Sequence, residues 1–94
     1  MDVVLTDPPG PLRAFIRDGR IATFPAKRVR RLALLDHVAQ VFVPGRDYPE
    51  PMVDEILKGM TDDHCALRRY LVDEDFLSRN NTGVYWRSGG AVNA

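Results

Sequence analysis

The longest amphipathic pattern in the chain covers residues 26–42. Its apolar side chains recur at helical spacing and form one broad stripe, made of Leu32, Leu34, Leu35, Val38, Ala39, Val41 and Phe42. A stripe of this width is typical of a helix that packs one face against the centre of a domain. The pattern therefore predicts a core helix over 26–42.

Two shorter helical patterns follow, separated by a tight link at residues 59–61. The first begins with proline and glutamate, which suit the first turn of a helix, and its apolar positions predict a helix over 50–59. The second follows Thr61, a residue type that commonly caps a helix N-terminus, and predicts a helix over 62–75.

Strand patterns lie beside these helices. Residues 76–80 and 84–87 are short strand-like runs, and the Asn-Thr-Gly sequence between them contains residue types that accept positive φ. The two runs therefore predict a β-hairpin. Tyr48 is expected to occupy a minimal strand of one or two residues.

Ahead of the long helix the pattern is weaker. Residues 12–18 predict a short helix, with Gly19 well placed to end it. Residues 20–24 alternate enough for a short strand, which Pro25 halts. The predicted fold is α+β, a winged helix-turn-helix with three core helices, a C-terminal β-hairpin wing, an N-terminal helix and a short strand.

The length of 94 residues leaves room for one modest core. We expect a single domain over 12–87, an extended lead-in over 1–11 and a flexible tail over 88–94.

No segment approaches the roughly 18 apolar residues of a membrane span, and the N-terminus lacks the basic region of a secretory signal. The single cysteine, Cys65, suits a reducing compartment. These features predict a cytoplasmic protein without membrane contact.

Charge is balanced overall but segregated along the chain. Thirteen Lys+Arg and thirteen Asp+Glu give zero net charge, which does not favour nucleic-acid binding by itself. Seven basic side chains fall close together, with Asp18 the only acid among them: Arg13, Arg17, Arg20, Lys27, Arg28, Arg30 and Arg31. If the N-terminal and long helices lie together, this set forms a positive patch for nucleic acid or an acidic protein. The alternative is a solvated charged face.

Arg68 and Arg69 point outward from the predicted third helix when Leu67 is taken as the centre of its buried face. In a winged helix this helix usually reads the major groove, so both arginines are candidates to contact guanine or phosphate. The alternative is that they pair with acids at the ends of this helix or on the preceding one. Five acids at the helix ends would repel a phosphate backbone.

The predicted wing carries Arg79 and Arg87 beside Tyr85 and Trp86. An aromatic wing can touch a nucleic-acid backbone or stack on a base. The favoured alternative is that both aromatic side chains pack the hairpin onto the core.

Patterns typical of catalysis and metal binding are absent from the sequence. It has no Gly-rich phosphate loop, no nucleophile elbow and no His or Cys pair at metal-ligand spacing. His64 and Cys65 are adjacent, and neighbouring helical residues point about 100° apart. We therefore expect no enzymatic activity, no metal and no cofactor.

Two segments are distinctive: Asp-His-Cys-Ala-Leu-Arg-Arg-Tyr-Leu-Val-Asp at 63–73 and Gly-Val-Tyr-Trp-Arg at 83–87. With shorter segments at 18–21, 48–50 and 77–79, they resemble a bacterial family catalogued as domain of unknown function 2087. Its members occur alone or attached to helix-turn-helix regulators. The resemblance implies a winged-helix-like fold and a role in transcriptional regulation, and no known reaction. The family usually has Glu-Val-Asn where this chain has Met-Val-Asp at 52–54.

The leading hypothesis is a non-catalytic regulatory module that binds duplex DNA, as a homodimer that supplies two half-sites. Its candidate nucleic-acid contacts are basic side chains: Arg68, Arg69, Arg79, Arg87, Lys27, Arg28, Arg30 and Arg31. The rival hypothesis is a winged helix that binds a regulatory protein through its acidic third helix. The charges left exposed along this helix and the wing discriminate between the two.

Overall fold

Between residues 10 and 90, three α-helices and two small antiparallel sheets make up an α+β fold. The structure, a computed structural model, describes residues 10–90, apart from the side chain of Pro11. After a 3₁₀ turn at Gly10–Leu12, the elements are β1 Ile16–Arg17, β2 Arg20–Ile21, α1 Arg28–Ala39, β3 Asp47–Pro49, α2 Glu50–Lys58, α3 His64–Asp73, β4 Leu77–Arg79 and β5 Val84–Arg87. Within the described residues, no helix has the length and apolar character needed to cross a membrane.

The larger sheet has the order β3-β5-β4, so its middle strand is the last one in the sequence. Tyr85 of β5 lies opposite Tyr48 of β3 on one side and Arg79 of β4 on the other. In the turn between β4 and β5, the carboxamide oxygen of Asn80 accepts the backbone N–H groups of Thr82 and Val84, each at 3.0 Å. The predicted hairpin and the predicted strand at Tyr48 are both confirmed.

The N-terminal region differs from the prediction. Residues 12–18 do not form a helix that Gly19 ends; β1 and β2 form a hairpin in which Asp18 and Gly19 have φ values of 54° and 76°. An Asp-Gly pair readily adopts these left-handed conformations in a two-residue turn, and this local preference outweighs a weak helical pattern. The predicted strand over 20–24 is shortened to the two residues of β2.

The helix α1 is shorter than predicted at both ends. It begins at Arg28 rather than at residue 26, and it ends at Ala39. The next three residues continue as a tight turn, in which the N–H of Phe42 donates to the carbonyl of Ala39 at 3.0 Å. The N–H of Val43 then donates to the hydroxyl of Tyr48 at 2.8 Å, and this bond holds the turn that leads into β3.

The start of α3 also differs from the prediction, which placed Thr61 at the N-cap. The N-cap is Asp63, whose carboxylate accepts the N–H of Ala66 at 3.2 Å, while the Thr61 hydroxyl accepts the N–H of Asp63 at 3.3 Å. The link between α2 and α3 is anchored to the N-terminal hairpin, because the N–H of Ile21 donates to the carbonyl of Met60 at 2.6 Å.

The core lies between the three helices and one face of the larger sheet. Its fully buried side chains include Leu34, Leu35, Val38, Phe42, Val53, Leu57, Met60, Leu67, Leu71, Leu77 and Tyr85. Burial of one large apolar side chain stabilises a fold by about 1.5–3 kcal/mol. The inner faces of α2, α3 and the sheet are therefore fixed, and only their outer faces are available for a site.

Candidate anion-binding site

A groove of about 330 Å³ lies between α3 and the β4–β5 hairpin. We call it the α3–hairpin groove. Its lining residues come from two elements, with Cys65, Arg68, Arg69, Val72 and Asp73 on α3 and Arg79 and Tyr85 on the hairpin. Three guanidinium groups therefore border one concavity.

The two walls of the groove follow directly from local structure. Arg69 lies on the side of α3 away from Leu67 and Leu71, which are fully buried. Arg68 points about 100° from Arg69 around the helix, at the edge of the buried face, where it contacts Asp54 of α2. On the opposite wall, Arg79 lies in register with Tyr85 of the neighbouring strand.

The charge of Arg68 is balanced by carboxylates of α2. Its Nη1 donates a short hydrogen bond to Asp54 Oδ1, and its Nε lies 3.9 Å from Glu50 Oε1. The side chains of Arg68 and Asp54 are each only 23% exposed, so solvent screens this pair less than a surface pair. Burial opposes the charge of Arg68, but the hydrogen bond and charge of Asp54, together with Tyr85 and Glu50, outweigh burial and raise the pKa of the guanidinium. Arg68 is thus a fixed, paired part of the groove wall.

Tyr85 links the carboxylate of Glu50 to the guanidinium of Arg79. The buried phenol donates to Glu50 Oε1 at 2.7 Å, and its oxygen accepts from Arg79 Nη1 at 3.3 Å. Burial and the neighbouring Glu50 raise the pKa of Tyr85, and Arg79 opposes part of that shift. Tyr85 therefore remains neutral at physiological pH and positions Arg79 without removing its charge.

Arg69 is exposed and forms no hydrogen bond or ion pair with any residue in the described range 10–90. Arg79 is also exposed and contacts only the neutral Tyr85 hydroxyl among the described side chains. The groove therefore carries two guanidinium charges without an ion-pair partner between residues 10 and 90, one on each wall, together with the carboxylate of Asp73 on α3.

The fourth predicted arginine, Arg87, lies outside this groove. Its guanidinium donates to the carbonyls of Phe42 and Gly89, at 3.2 and 3.0 Å, and so ties β5 to the end of the α1 region. Trp86 lies on the opposite face of β5 from Tyr85, partly exposed and outside the core cluster of the described residues. Of the two wing aromatics, Tyr85 packs into the core as predicted, whereas Trp86 lies outside the cluster.

The basic segment 13–31 is partly neutralised by the acids that flank α3. Arg20 pairs with Asp62 and Arg28 pairs with Glu74, both at 2.8 Å. The guanidinium of Arg31 lies 5.3 Å from the ring centre of Tyr70. These contacts place two of the predicted patch charges opposite acids.

The other two candidate contacts in this segment, Lys27 and Arg30, are exposed. Neither side chain has a hydrogen bond or ion pair with another residue between 10 and 90. They lie at the start of α1 and do not line the α3–hairpin groove.

His64 and Cys65 approach each other at the start of α3, with Nε2 and Sγ 3.6 Å apart. Cys65 is an exposed free thiol. The part of the chain that the structure describes contains no cluster of three or more potential metal ligands.

Comparison with known proteins finds a family model described as an uncharacterized protein conserved in bacteria (DUF2087), which matches residues 20–87. The match covers most of the chain, from β2 to β5, and includes every residue that lines the α3–hairpin groove. No curated protein and no solved structure matches the chain.

Proposed function

Since this chain belongs to the DUF2087 family, which is conserved in bacteria, we propose that it is a non-catalytic winged-helix module that binds duplex DNA. In this proposal α2 and α3 are the helix-turn-helix pair, and the β4–β5 hairpin is the wing. We place the module in the cytoplasm, where its free thiol remains reduced and where bacterial DNA lies.

The order of elements supports the winged-helix interpretation. After α1, the chain runs through β3, α2, α3 and then the hairpin, and β5 returns to pair with β3. This order leaves the outer side of α3 beside the hairpin, where a recognition helix and a wing would together face a duplex.

The observation that carries the DNA proposal is the position of Arg69 and Arg79. One lies on the proposed recognition helix and the other on the proposed wing, and neither has an acidic partner among residues 10–90. Guanidinium groups bind phosphate oxygens through paired hydrogen bonds. Two such groups on opposite walls of a groove suit contacts to the phosphate backbone, which dominates the affinity of DNA-binding proteins.

Three of the acids around α3 are engaged within the protein. Asp62 pairs with Arg20, Glu74 pairs with Arg28, and Asp63 caps the helix. The pairing of Glu74, whose side chain is 19% exposed, lowers the repulsion that a phosphate backbone would meet. Asp62 remains fully exposed, and Asp73 and Asp75 are exposed at the other end of α3, so the binding experiment, rather than these acids, distinguishes DNA from a protein partner.

A homodimer would present two copies of α3 to successive half-sites, about one helical turn of DNA apart. Sedimentation of the protein alone and with duplex tests this part of the proposal. A single protein copy on each duplex at saturation would contradict it.

The DNA proposal is tested by fluorescence anisotropy with a labelled random-sequence duplex, first at low and then at physiological salt. We expect binding that weakens steeply with salt, because each phosphate contact releases counterions. Replacing Arg69 or Arg79 with glutamine should weaken binding and reduce the salt slope by about one each.

Arg30→Gln is the matched control, because Arg30 is also exposed but lies away from the groove. If Arg30→Gln weakens binding and the two groove variants do not, the DNA-contacting surface is the basic segment rather than the groove. Absence of binding at low salt would overturn the proposal altogether.

A further inference from the structure

We infer that the α3–hairpin groove also binds the phosphate group of a small phosphate monoester in the absence of nucleic acid. A ligand held there would occupy the arginines that are proposed to contact DNA and would compete with the duplex. This regulatory part rests on the proposed function, whereas the site itself does not.

The size of the groove supports a small ligand. Its volume of about 330 Å³ lies at the lower end of the range for small-molecule sites, roughly 300–1,000 Å³. This is enough for a phosphate group together with a small organic part. A surface that contacted only the phosphate backbone of DNA could be flat and would not need such a concavity.

The charges of the groove favour a dianion over a monoanion. Arg69 and Arg79 line it from opposite walls, and each carries a full positive charge without an acidic partner among the described residues. A monoester phosphate carries close to two negative charges at neutral pH. Asp73 also lines the groove and offsets part of the positive charge, but it is one carboxylate beside two guanidinium groups, which can each donate to the oxygens of a dianion. An internal phosphodiester carries only one negative charge.

The wall contributed by the hairpin is pre-organised. The Tyr85 hydroxyl, itself fixed by Glu50 at 2.7 Å, accepts a hydrogen bond from Arg79 and holds its guanidinium beside the groove. Less side-chain freedom is then lost when an anion binds, which favours affinity.

Arg68 also lines the groove but contributes little attraction, because Asp54 holds it. This pairing gives the inference a second, opposite test. Asp54→Asn removes the carboxylate that neutralises Arg68 and leaves a third positive charge beside the groove. The variant should bind phosphate more tightly than the natural protein.

The experiment is a titration of the ¹⁵N-labelled full chain with inorganic phosphate, followed by amide NMR and compared with chloride at matched ionic strength. We expect saturable shifts in α3 and the hairpin with phosphate only. Arg69→Gln and Arg79→Gln should each weaken binding about tenfold, the loss of one charge-assisted hydrogen bond.

Asp54→Asn should strengthen phosphate binding, and Arg30→Gln should leave it unchanged. Amide spectra of each free variant confirm folding before its titration is interpreted. Identical shifts with phosphate and chloride would overturn the inference, as would phosphate binding that survives in both groove variants.

Glycerol phosphate and an unlabelled duplex serve as two further ligands and separate the sources of phosphate. Saturable binding of glycerol phosphate, with competition against labelled duplex, supports the full inference. If the duplex binds and neither small phosphate does, the inference fails and the proposed function stands. If both small phosphates bind and the duplex does not, the groove site stands and the proposed function fails.

Discussion

Tyr85 joins the interior of the protein to its surface groove. Its ring is only 1% exposed and belongs to the core cluster, yet its hydroxyl contacts Glu50 on one side and Arg79 on the other. A single residue therefore couples the stability of the sheet to the position of a groove arginine. Tyr85→Phe separates these two roles, because it keeps the buried ring and removes only the hydroxyl that contacts Glu50 and Arg79.

The raised pKa of Tyr85 predicts a pH-dependent contribution to stability. The folded state keeps this phenol protonated to higher pH than the unfolded chain, whose ordinary tyrosine value is 10.0. The contribution is therefore fully present below pH 10.0 and is lost as the pH rises through the folded-state value. An ultraviolet absorbance titration should show a tyrosine that ionises at higher pH in the folded protein than in the denatured one, and Tyr85→Phe should remove that step.

The denatured protein provides the control for this titration, because burial and the Glu50 contact are then lost. Its tyrosines should ionise together near the ordinary value. A folded-state titration that superimposes on the denatured one would contradict the prediction.

The sequence identified the groove arginines but not all of their partners. Arg69 and Arg79 follow from the period of a helix face and the pairing of a hairpin, which are local properties. Asp54 lies fourteen residues before Arg68, and their contact depends on how α2 crosses α3. The sequence allowed an acid on the preceding helix to pair with Arg68, but it contained no signal that selected Asp54.

At the scale of elements, the link between α2 and α3 is held by the N-terminal hairpin. Arg20 of β2 donates to the carbonyls of Lys58 and Gly59, at 3.3 and 3.0 Å, and to the carboxylate of Asp62 at 2.8 Å. One side chain thus satisfies carbonyls at the end of α2 and contacts the residue that precedes the α3 cap. The small hairpin fixes the angle between the two helices that flank the link.

Arg20→Ala should destabilise the fold by about 1 kcal/mol, chiefly through the lost bonds to the two carbonyls. The ion pair adds little, because Asp62 is fully exposed. Urea unfolding measures the change. Arg17→Ala is the matched control, since Arg17 lies opposite Arg20 in the hairpin and is exposed. Equal losses of stability in the two variants would contradict the role of Arg20.

The end of the larger sheet depends on a close backbone approach at Gly89. A Cβ atom there would lie 2.5 Å from the carbonyl oxygen of Asp75, whereas a Cβ at Gly10 would meet nothing within 4 Å. Gly89→Ala should therefore cost about 1–3 kcal/mol in thermal unfolding, and Gly10→Ala should cost much less. If Gly89→Ala were as stable as Gly10→Ala, the backbone at Asp75 could move away from the added methyl group without cost, and the prediction would be wrong.

The long periodic elements were predictable, and the short ones were predictable only where a turn signal was recognised. The hydrophobic stripe of α1 and the Asn-Thr-Gly turn indicated a helix and a hairpin that the structure contains. The hairpin of β1 and β2 has two residues in each strand, too few for an alternating pattern. The Asp18-Gly19 pair was the one signal of a hairpin turn in this segment. We interpreted Gly19 as the end of a helix, and the hairpin was therefore not predicted.

For the protein as a whole, the basic N-terminal part of the chain folds against the acidic part that follows it. The first 45 residues carry seven basic and four acidic side chains, and the remainder carry six and nine. Arg20–Asp62 and Arg28–Glu74 bridge these two parts near opposite ends of α3. Two long-range ion pairs therefore balance part of the charge within the fold, whereas Arg69 and Arg79 at the groove have no ion-pair partner among the residues that the structure describes.

The pair Arg28–Glu74 should show coupling in a double-mutant cycle, because Glu74 is only 19% exposed. With Arg28→Ala, Glu74→Ala and the double variant, urea unfolding should give a coupling of about 0.5 kcal/mol that decreases with salt. Additive effects at low salt would contradict an energetic role for this contact.

The order of the larger sheet has a consequence for synthesis. Because β5 lies between β3 and β4, neither neighbour can complete its pairing until the segment Val84–Arg87 has left the ribosome. Until then the nascent chain exposes the apolar surface that Tyr85 later covers, which is the state in which chaperones bind and aggregation begins. A ribosome that has already translated β3 and β4 therefore carries an unfinished sheet until β5 emerges.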